Sequence, residues 1–351
     1  MDGFAVCASN LTGNRPFEIP VVGTSFAGHP YADRADPGSA VRIFTGAAMP
    51  EGFDAVAIQE DCEILDDVVR IGVNITAGDN VRQIGHDIGN GERIVSRGQV
   101  LTPFTVGWLA ACGHTHVPVI AQPKVAIFST GDELREPGST LAPGQIYDSN
   151  RHLLAALLAG LPVEVLDLGA LPDDKQATRA GLEAAAAEAD VLLTSGGVSV
   201  GDADFVTAVL DEIGKLDIWR LNIKPGKPLA YGRLGHSLFF GLPGNPVSTA
   251  VTFLLIARPA ILQLCGAEGW ESARHSAKLS EPIRHKPGRE EYQRGMVVTG
   301  NDGTRVAVTG DQSSNRLASF SNANCLIRIP KESGDLPSGA EVTVLPFFGL
   351  I

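Results

Sequence analysis

Between Pro123 and about Gly266, short apolar runs alternate with helical stretches at a spacing that few folds accommodate. Val125 to Phe128, Val163 to Leu168 and Val191 to Thr194 read as strands. Asn150 to Ala159, the alanine-rich Lys175 to Glu188, and Phe205 to Ile213 read as the helices that follow them. Three further β-prone runs, Ile218 to Ile223, Leu229 to Tyr231 and Ser237 to Phe240, precede a helix from near Pro246 to about Leu264. This alternation predicts a mostly parallel α/β sheet with helices on both faces.

The flanks obey a different rule. Residues 1–90 carry short β-prone runs (Ala40 to Thr45, Ala55 to Gln59, Val68 to Val73) among many glycines and prolines, and predict a small β-rich domain. Residues 91–122 read as a linking segment, in which Phe104 to Cys112 has helical spacing and Gly113 closes it. Residues 123–268 hold the α/β domain, and residues 269–351 return to short strands such as Met296 to Thr299, Arg305 to Thr309 and Glu341 to Leu345, predicting a C-terminal β domain. A length of 351 residues suits such a multidomain chain.

Composition narrows the function. With 40 acidic and 28 basic residues the formal net charge is -12, which argues against a general binder of nucleic-acid backbones, so any anion site must be local. No run approaches the roughly 20 uninterrupted apolar residues of a membrane helix, and the N-terminus has no signal-peptide pattern; a cytoplasmic protein is expected. Cys7, Cys62, Cys112, Cys265 and Cys325 lie far apart with no Cys-x-x-Cys pair, and are expected to be buried thiols.

In an open α/β sheet, ligands bind beyond the carboxyl ends of the strands. Here those loops combine glycines, hydroxyls and carboxylates: Ser129-Thr130-Gly131-Asp132-Glu133-Leu134 after the first strand, and Ser195-Gly196-Gly197-Val198-Ser199-Val200-Gly201-Asp202-Ala203-Asp204 after the third. Glycines let backbone N–H groups approach an anion, and Asp204 is placed either to cap the next helix or to hold a cation. Lys224-Pro225-Gly226-Lys227-Pro228 sets two ammonium groups on a proline-stiffened loop, an arrangement that calls for an oxyanion or phosphate between them. Leu242-Pro243-Gly244-Asn245-Pro246 leads into a helix N-terminus. Glu133, Asp148, Asp173, Asp174 and Asp204 supply hard oxygen ligands, which favour Mg²⁺ over zinc, although acids such as Asp173 and Asp174 also suit a helix N-terminus. His114 and His116 lack a third ligand nearby, and no P-loop, dinucleotide fingerprint or nucleophile elbow occurs. The residues therefore point to an α/β enzyme for an anionic ligand, with Mg²⁺.

Six motifs carry a family resemblance. Met1-Asp2-Gly3-Phe4-Ala5, Ile43-Phe44-Thr45-Gly46-Ala47, Thr130-Gly131-Asp132-Glu133-Leu134, Gly196-Gly197-Val198-Ser199-Val200-Gly201, Lys224-Pro225-Gly226-Lys227-Pro228 and Leu242-Pro243-Gly244-Asn245-Pro246 occur in the order found in the MoeA family of molybdopterin molybdenumtransferases, which includes the E domain of gephyrin. The resemblance implies an elongated homodimer that takes adenylylated molybdopterin and molybdate, cleaves the adenylyl phosphoanhydride with Mg²⁺, and releases molybdenum cofactor and AMP. It assigns catalytic roles to Asp2, Thr45, Glu133, Asp174, Asp204, Lys224 and Lys227, with Asp2 and Thr45 facing the pterin domain of the other subunit and Glu133, Asp174 and Asp204 as metal ligands. Thr130, Gly131, Asp132, Ser195, Gly196, Gly197, Ser199, Pro228, Pro243, Gly244, Asn245 and Pro246 would bind substrate. Arg289-Glu290-Glu291-Tyr292 and Gln312-Ser313-Ser314-Asn315-Arg316 resemble segments that receive molybdate, and from them Arg289 and Ser314 carry over.

Family members carry several dozen largely helical residues ahead of the Met-Asp-Gly motif, which bears on the linking domain and dimer contact. Two other readings stay open at the level of sequence: a molybdopterin adenylyltransferase, which shares the α/β domain and would itself be a partner of the transferase, and a pterin-binding scaffold without turnover.

Overall fold

The computed structural model describes residues 1–11, 13–172, 174–197, 205–269 and 272–348. Two compact units, Met1–Ile94 and Val95–Ile351, divide the chain.

The first unit is a sheet of six strands: β1 (Gly3–Val6), β2 (Phe17–Ser25), β3 (Ala40–Ile43), β4 (Ala55–Ile58), β5 (Cys62–Leu65) and β6 (Val68–Ile71), in the order β4-β1-β3-β2-β6-β5. β1 is central and buried at every position, so its run of Gly, Phe, Ala and Val lacks the alternation of a half-exposed strand. Gly3 has no substitute there: a Cβ would lie 2.1 Å from the carbonyl oxygen of Ala57 on β4. The glycine of the opening motif is thereby explained by packing. Phe4, Ile19, Val69 and Ile71 form the centre of its core.

In the second unit, α1 (Pro103–Ala111) starts at Thr102, whose side chain accepts from the N–H of Thr105, and ends before Gly113 at φ +83°. The chain then builds β7 (Lys124–Thr130), a short ladder of β8 (Leu134–Arg135) with β9 (Ile146–Tyr147), α2 (Ser149–Leu158), β10 (Glu164–Leu171), α3 (Lys175–Glu188), β11 (Val191–Ser195) and α4 (Phe205–Ile213). β12 (Lys215–Arg220), β13 (Ile223–Lys224), β14 (Pro228–Leu234) and β15 (Ser237–Leu242) follow, and then α5 (Pro246–Thr252), a π-helical turn over Phe253–Ala257 and α6 (Arg258–Leu264). The turn sits where Pro259 lacks the N–H that would bond back to the carbonyl of Leu255.

The sheet order is β10-β7-β11-β15-β14-β12, parallel from β10 to β15 and antiparallel through β14 and β12. Period-two alternation decides its two faces. Val125, Ile127, Val191 and Leu193 meet Leu154 and Leu158 of α2 and Val247 and Val251 of α5. Ala126, Phe128 and Leu192 meet Leu182 of α3 and Val206 and Val209 of α4. Pro246–Leu264, with a mean hydropathy of 1.6, is 67% buried in this core.

The C-terminal strands are β16 (His275–Leu279), β17 (Glu290–Gly300), β18 (Gly303–Val308), β19 (Cys325–Ile329) and β20 (Glu341–Pro346). Because β17 pairs with both β18 and β19, the run β17-β18-β16-β20-β19 closes on itself around Leu279, Val306, Ile327 and Val344. Tyr292, Leu326 and Leu345 also join the apolar cluster of α2 and α5, so the two sheets share a core. The expectation of buried cysteines holds for Cys325 alone; Cys7, Cys62, Cys112 and Cys265 are partly exposed. Cys62 lies on the edge strand β5, where packing against one side still pushes its thiol up to about 11.

Candidate active site

Three parallel strands end level with one another, since Ser195 at the end of β11 pairs with Ser129 on β7 and with Leu242 at the end of β15. Their carboxyl ends present Thr130-Gly131-Asp132, Ser195-Gly196-Gly197 and Pro243-Gly244-Asn245 to one side. The N–H of Gly196 donates to the carbonyl of Leu242 at 3.0 Å. Gly197 has φ +68°, and a Cβ there would meet Thr130 Oγ1 at 2.7 Å, so the chain reverses beside β7 only because this residue has no side chain. The hydroxyl of Ser195 is buried without a hydrogen-bond partner among the described residues.

α5 begins immediately beyond, with Pro246 at its first turn. An Asn at the cap position ordinarily accepts from the first-turn N–H groups, but Asn245 makes no such bond. Its Nδ2 donates instead to Ser314 Oγ at 3.1 Å, and the N–H of Val247 donates to the carbonyl of Ser314 at 3.1 Å. Thr249 Oγ1 closes the turn by donating to the carbonyls of Pro243, at 2.5 Å, and Asn245, at 3.1 Å.

The Lys-Pro-Gly-Lys-Pro loop leaves the α/β sheet where Arg220 of β12 pairs with Pro228 of β14, and the N–H of Leu221 donates to the carbonyl of Lys227 at 2.8 Å. Within the loop, β13 pairs in parallel with β17, setting Lys224 opposite Glu291. Lys224 Nζ lies 3.0 Å from Glu291 Oε1, which also accepts from Gln293 Nε2 at 3.0 Å. Glu291 Oε2 is 3.7 Å from Nε2 of the buried His285. The two lysines were expected to share an external anion; the structure supplies Lys224 with a buried internal one. Among the described residues no carboxylate pairs with Lys227 or with Arg289, both of which are exposed.

Residues 311–314 form a further part of the wall. Asp311 Oδ1 accepts from the N–H of Ser313 at 2.8 Å and from its hydroxyl at 2.5 Å, while Oδ2 faces Arg316 Nη1 at 3.0 Å. These donors hold the carboxyl down at about 2. Behind the loop lies Arg294, fully buried on β17, whose Nη2 donates to the carbonyls of Asp311 and Ser313 at 3.3 and 3.2 Å. Burial pushes its guanidinium down to about 10, which leaves it charged at neutral pH.

Together these elements enclose a cavity of about 950 Å³ lined by Glu133, Gly196, Gly197, Lys224, Lys227, Pro228, Pro243, Gly244, Asn245, Arg289 and Ser314. Glu291, Asp311, Gln312 and Ser248 also line it, beyond the site residues that the sequence singles out. The local signal for two of them was present, because Glu291 and Gln312 stand in the Arg289 and Ser314 segments.

Other residues fall elsewhere. Asp2 Oδ1 accepts from the N–H and Oγ1 of Thr45 at 2.8 and 2.9 Å, which lowers its pKa, and both residues belong to the first unit. Thr130, Asp132, Ser195 and Pro246 flank the cavity loops without lining it. Asp174 caps α3, accepting from the N–H of Ala177 at 2.8 Å, and does not line the cavity. Asp148 is buried as the cap of α2, accepting from Ser129 Oγ at 2.5 Å and Arg151 Nε at 3.1 Å. Asp173, Ser199 and Asp204 lie outside the described residues. No group of three His, Cys, Asp or Glu side chains among the described residues is placed to hold a metal ion. Mg²⁺ is commonly held by one or two carboxylates together with water and substrate phosphate rather than by an all-protein cage, and Glu133 on the cavity wall fits that habit.

Three family descriptions match successive parts of the chain: "MoeA N-terminal region (domain I and II)" over residues 1–113, "Probable molybdopterin binding domain" over 126–263, and "MoeA C-terminal region (domain IV)" over 276–347. A molybdopterin molybdenumtransferase of Haemophilus influenzae is 41% identical, the alignment covering 100% of this chain and 87% of that one. Molybdopterin molybdenumtransferase 2 of Mycobacterium tuberculosis is 32% identical over 98% of this chain and 87% of its own. The crystal structure of a molybdopterin biosynthesis MoeA protein from Pyrococcus horikoshii superposes with a TM-score of 0.83 at 28% identity, covering 99% of this chain and 86% of that one. With family matches in series along both units and a relative aligned over the whole chain, this protein belongs to the MoeA family of molybdopterin molybdenumtransferases.

Proposed function

We propose that this protein inserts molybdenum during molybdenum-cofactor biosynthesis, taking adenylylated molybdopterin and molybdate and releasing molybdenum cofactor and AMP. The observation that carries the reading is the convergence of Lys227 and Arg289, cations without a described carboxylate partner, with the Ser314 loop and the glycine-rich strand ends around one cavity. A tetrahedral dianion has the charge and hydrogen-bonding capacity to occupy the Lys227, Arg289 and Ser314 side. The strand ends, with Gly196 and Gly197, suit the phosphate-bearing pterin, since backbone N–H groups approach anions most closely where no Cβ intervenes.

In the step itself, water attacks phosphorus, the bridging phosphoanhydride P–O bond breaks, AMP leaves with the bonding electrons, and the pterin phosphate keeps the water oxygen as a proton is released; the two dithiolene thiols of the pterin then bond molybdenum, and one molybdate oxygen leaves with their two protons as water. Lys227 and Arg289 hold the oxyanion beside the scissile bond, so the reactants meet in a fixed geometry. Lys224, fixed by Glu291, offers ammonium N–H donors at the cavity wall without swinging freely. When bound, Mg²⁺ neutralises charge on the leaving phosphate, and Glu133, with Asp204, is the residue to hold it; Asp174 is committed to its helix cap.

The same reading makes the working protein a cytoplasmic homodimer in which Asp2 and Thr45 of one copy serve the cavity of the other. Their mutual hydrogen bonds preset the Asp2 carboxylate for that role. An adenylyltransferase that supplies the substrate is the corresponding partner.

AMP release from adenylylated molybdopterin tests the proposal directly. Release that requires molybdate and Mg²⁺ supports it; binding of the pterin with no release in either condition leaves a scaffold, and ATP-dependent adenylylation of molybdopterin identifies an adenylyltransferase. Mixing an Asp2→Ala chain with a Lys227→Ala chain tests the shared site. Recovery of activity supports subunit complementation, and its failure in a demonstrated mixed dimer removes that part of the reading.

A further inference from the structure

We propose that His285 is a positioning residue for Arg289 and acts as an imidazolium, its two ring N–H groups bridging the turn that carries Arg289 to the neighbouring 330–336 segment. The inference deepens the oxyanion reading of the cavity and rests on it.

Of the eight histidines His285 is the buried one, and both of its ring nitrogens face acceptors. Nδ1 lies 2.8 Å from the carbonyl oxygen of Ser333, and Nε2 lies 3.1 Å from that of Arg289 and 3.7 Å from Glu291 Oε2. A neutral imidazole has one N–H and one lone pair. Either tautomer therefore turns a lone pair toward a carbonyl oxygen at hydrogen-bond distance, with the ring shielded from water. Protons on both nitrogens give each carbonyl a donor and set a second cation beside the Glu291 carboxylate.

The surrounding charges suit that state. Glu291 of β17 faces the ring directly and shares its other oxygen with Lys224 of β13. From the 330–336 segment, Asp335 Oδ1 accepts the main-chain N–H of His285 at 2.8 Å, while Lys331 and Glu332 pair with each other at 3.8 Å and are exposed. Arg284, Lys286 and Arg289, on the same turn as His285, are exposed as well. Two carboxylates thus stand against the histidine, and the ammonium that meets one of them is half exposed.

The consequence falls on Arg289. The peptide that joins it to Glu290 is held from both sides, its carbonyl by His285 and its N–H by the carbonyl of Asn222 at 3.0 Å. Gly288, at φ +125°, donates its N–H to the carbonyl of Lys331 at 2.7 Å. These bonds fix the point from which the exposed Arg289 side chain reaches the cavity. Loss of the second ring proton removes one bond of the bridge and leaves Glu291 with Lys224 and Gln293 alone. Histidine is the side chain whose charge ordinarily changes near neutral pH, so the hold on the oxyanion becomes pH-dependent.

The test uses the full chain and sodium molybdate as probe, titrated calorimetrically from about pH 6 to 9, with ring-nitrogen NMR of isotope-labelled histidine over the same range. Burial identifies the His285 signals, because its ring protons are the ones shielded from exchange with water. The expected result is a ring with protons on both nitrogens at the low end of the range, and a molybdate affinity that falls about tenfold or more as that ring loses a proton, with KM for adenylylated molybdopterin unchanged. His285→Gln keeps one amide donor and no charge; it is expected to bind molybdate about tenfold more weakly at the low end, with no such pH dependence. A ring that carries a single proton throughout overturns the inference. So does a pH dependence that persists in the glutamine variant, or a variant that loses both substrates in step with its melting temperature. If the variant does not fold, the wild-type comparison decides: affinity and ring protonation that change together support the inference, and a change in one without the other overturns it. A wild-type chain that binds no molybdate at any pH removes the oxyanion reading itself, which separates that failure from one confined to His285.

Discussion

Lys224 and Glu291 face each other across a parallel strand pair, with 3.0 Å between Nζ and Oε1, one half exposed and the other buried. The carboxylate also meets Gln293 and His285, so removal of the lysine leaves a buried negative charge with fewer partners. The two lysines of one short motif therefore differ in kind: Lys224 belongs to the structure as well as to the cavity, and Lys227 to the cavity alone.

Lys224→Ala is expected to lower stability by about 1–3 kcal/mol, less than for a fully buried pair because the ammonium is half solvated. Lys227→Ala is expected to stay within about 0.5 kcal/mol of wild type while losing molybdate-dependent AMP release. Urea unfolding beside the AMP assay checks both; equal destabilisation by the two substitutions contradicts the distinction.

Gly197→Ala is expected to destabilise by about 1–3 kcal/mol and to disturb the cavity, because φ +68° strains an L-residue and the new Cβ meets Thr130 Oγ1 at 2.7 Å. The Cβ also meets Val206 Cγ2 at 3.0 Å, so Thr130→Ala and Val206→Ala together remove the close contacts, whereas Thr130→Ser leaves the hydroxyl in place. Melting temperatures of the combined variants decide whether contact or backbone strain dominates.

Arg151 is buried beside Asp148 and bonds Asp167 and Glu136 as well. Burial opposes its charge, but the hydrogen bonds to Asp167 and Asp148 outweigh that and raise its pKa. Arg151→Met is expected to cost about 3 kcal/mol, most of it from stranding the Asp148 carboxylate, and adding Asp148→Asn should recover part of the loss. Denaturant midpoints of the single and double variants measure the coupling.

Asp311 provides a pH signature. Its carboxyl titrates at about 2 against an ordinary value of 3.8, so the folded state holds its proton more weakly than the unfolded chain. The stabilisation is therefore complete above about pH 4 and disappears as pH falls toward 2. Asp311→Asn should flatten this part of the acid limb, and a carboxyl resonance with an ordinary midpoint would contradict the hydrogen bonding described.

Much of the α/β domain was legible because local periodicity and burial agree. Lys175 to Glu188 and Phe205 to Ile213 appear as helices with the expected bounds, and the apolar runs Val125 to Phe128 and Val191 to Thr194 fall within β7 and β11. β1 and β19 are strands beyond the runs singled out in the flanking β domains, and both are buried almost throughout. The run from Ile218 to Ile223 was read as one strand but divides, because β12 pairs with β14 whereas β13 crosses to β17.

The sequence by itself determined the layered α/β core, the glycine-rich strand ends and the presence of the Lys, Arg and Ser motifs, because hydrophobic period and turn chemistry act between near neighbours. Only the tertiary structure decided which charges meet. Glu291 lies 67 positions after Lys224, and Arg294 precedes the loop it holds by 17 to 19, so neither partnership leaves a local pattern. Likewise, Asp148 and Asp174 satisfy any rule for a strand-end carboxylate, yet their oxygens are taken by helix N–H groups once α2 and α3 form. Pairing across the closed C-terminal sheet brings Arg289, Glu291 and Ser314 to the cavity, because hydrogen-bond register between distant strands, not sequence spacing, sets those distances.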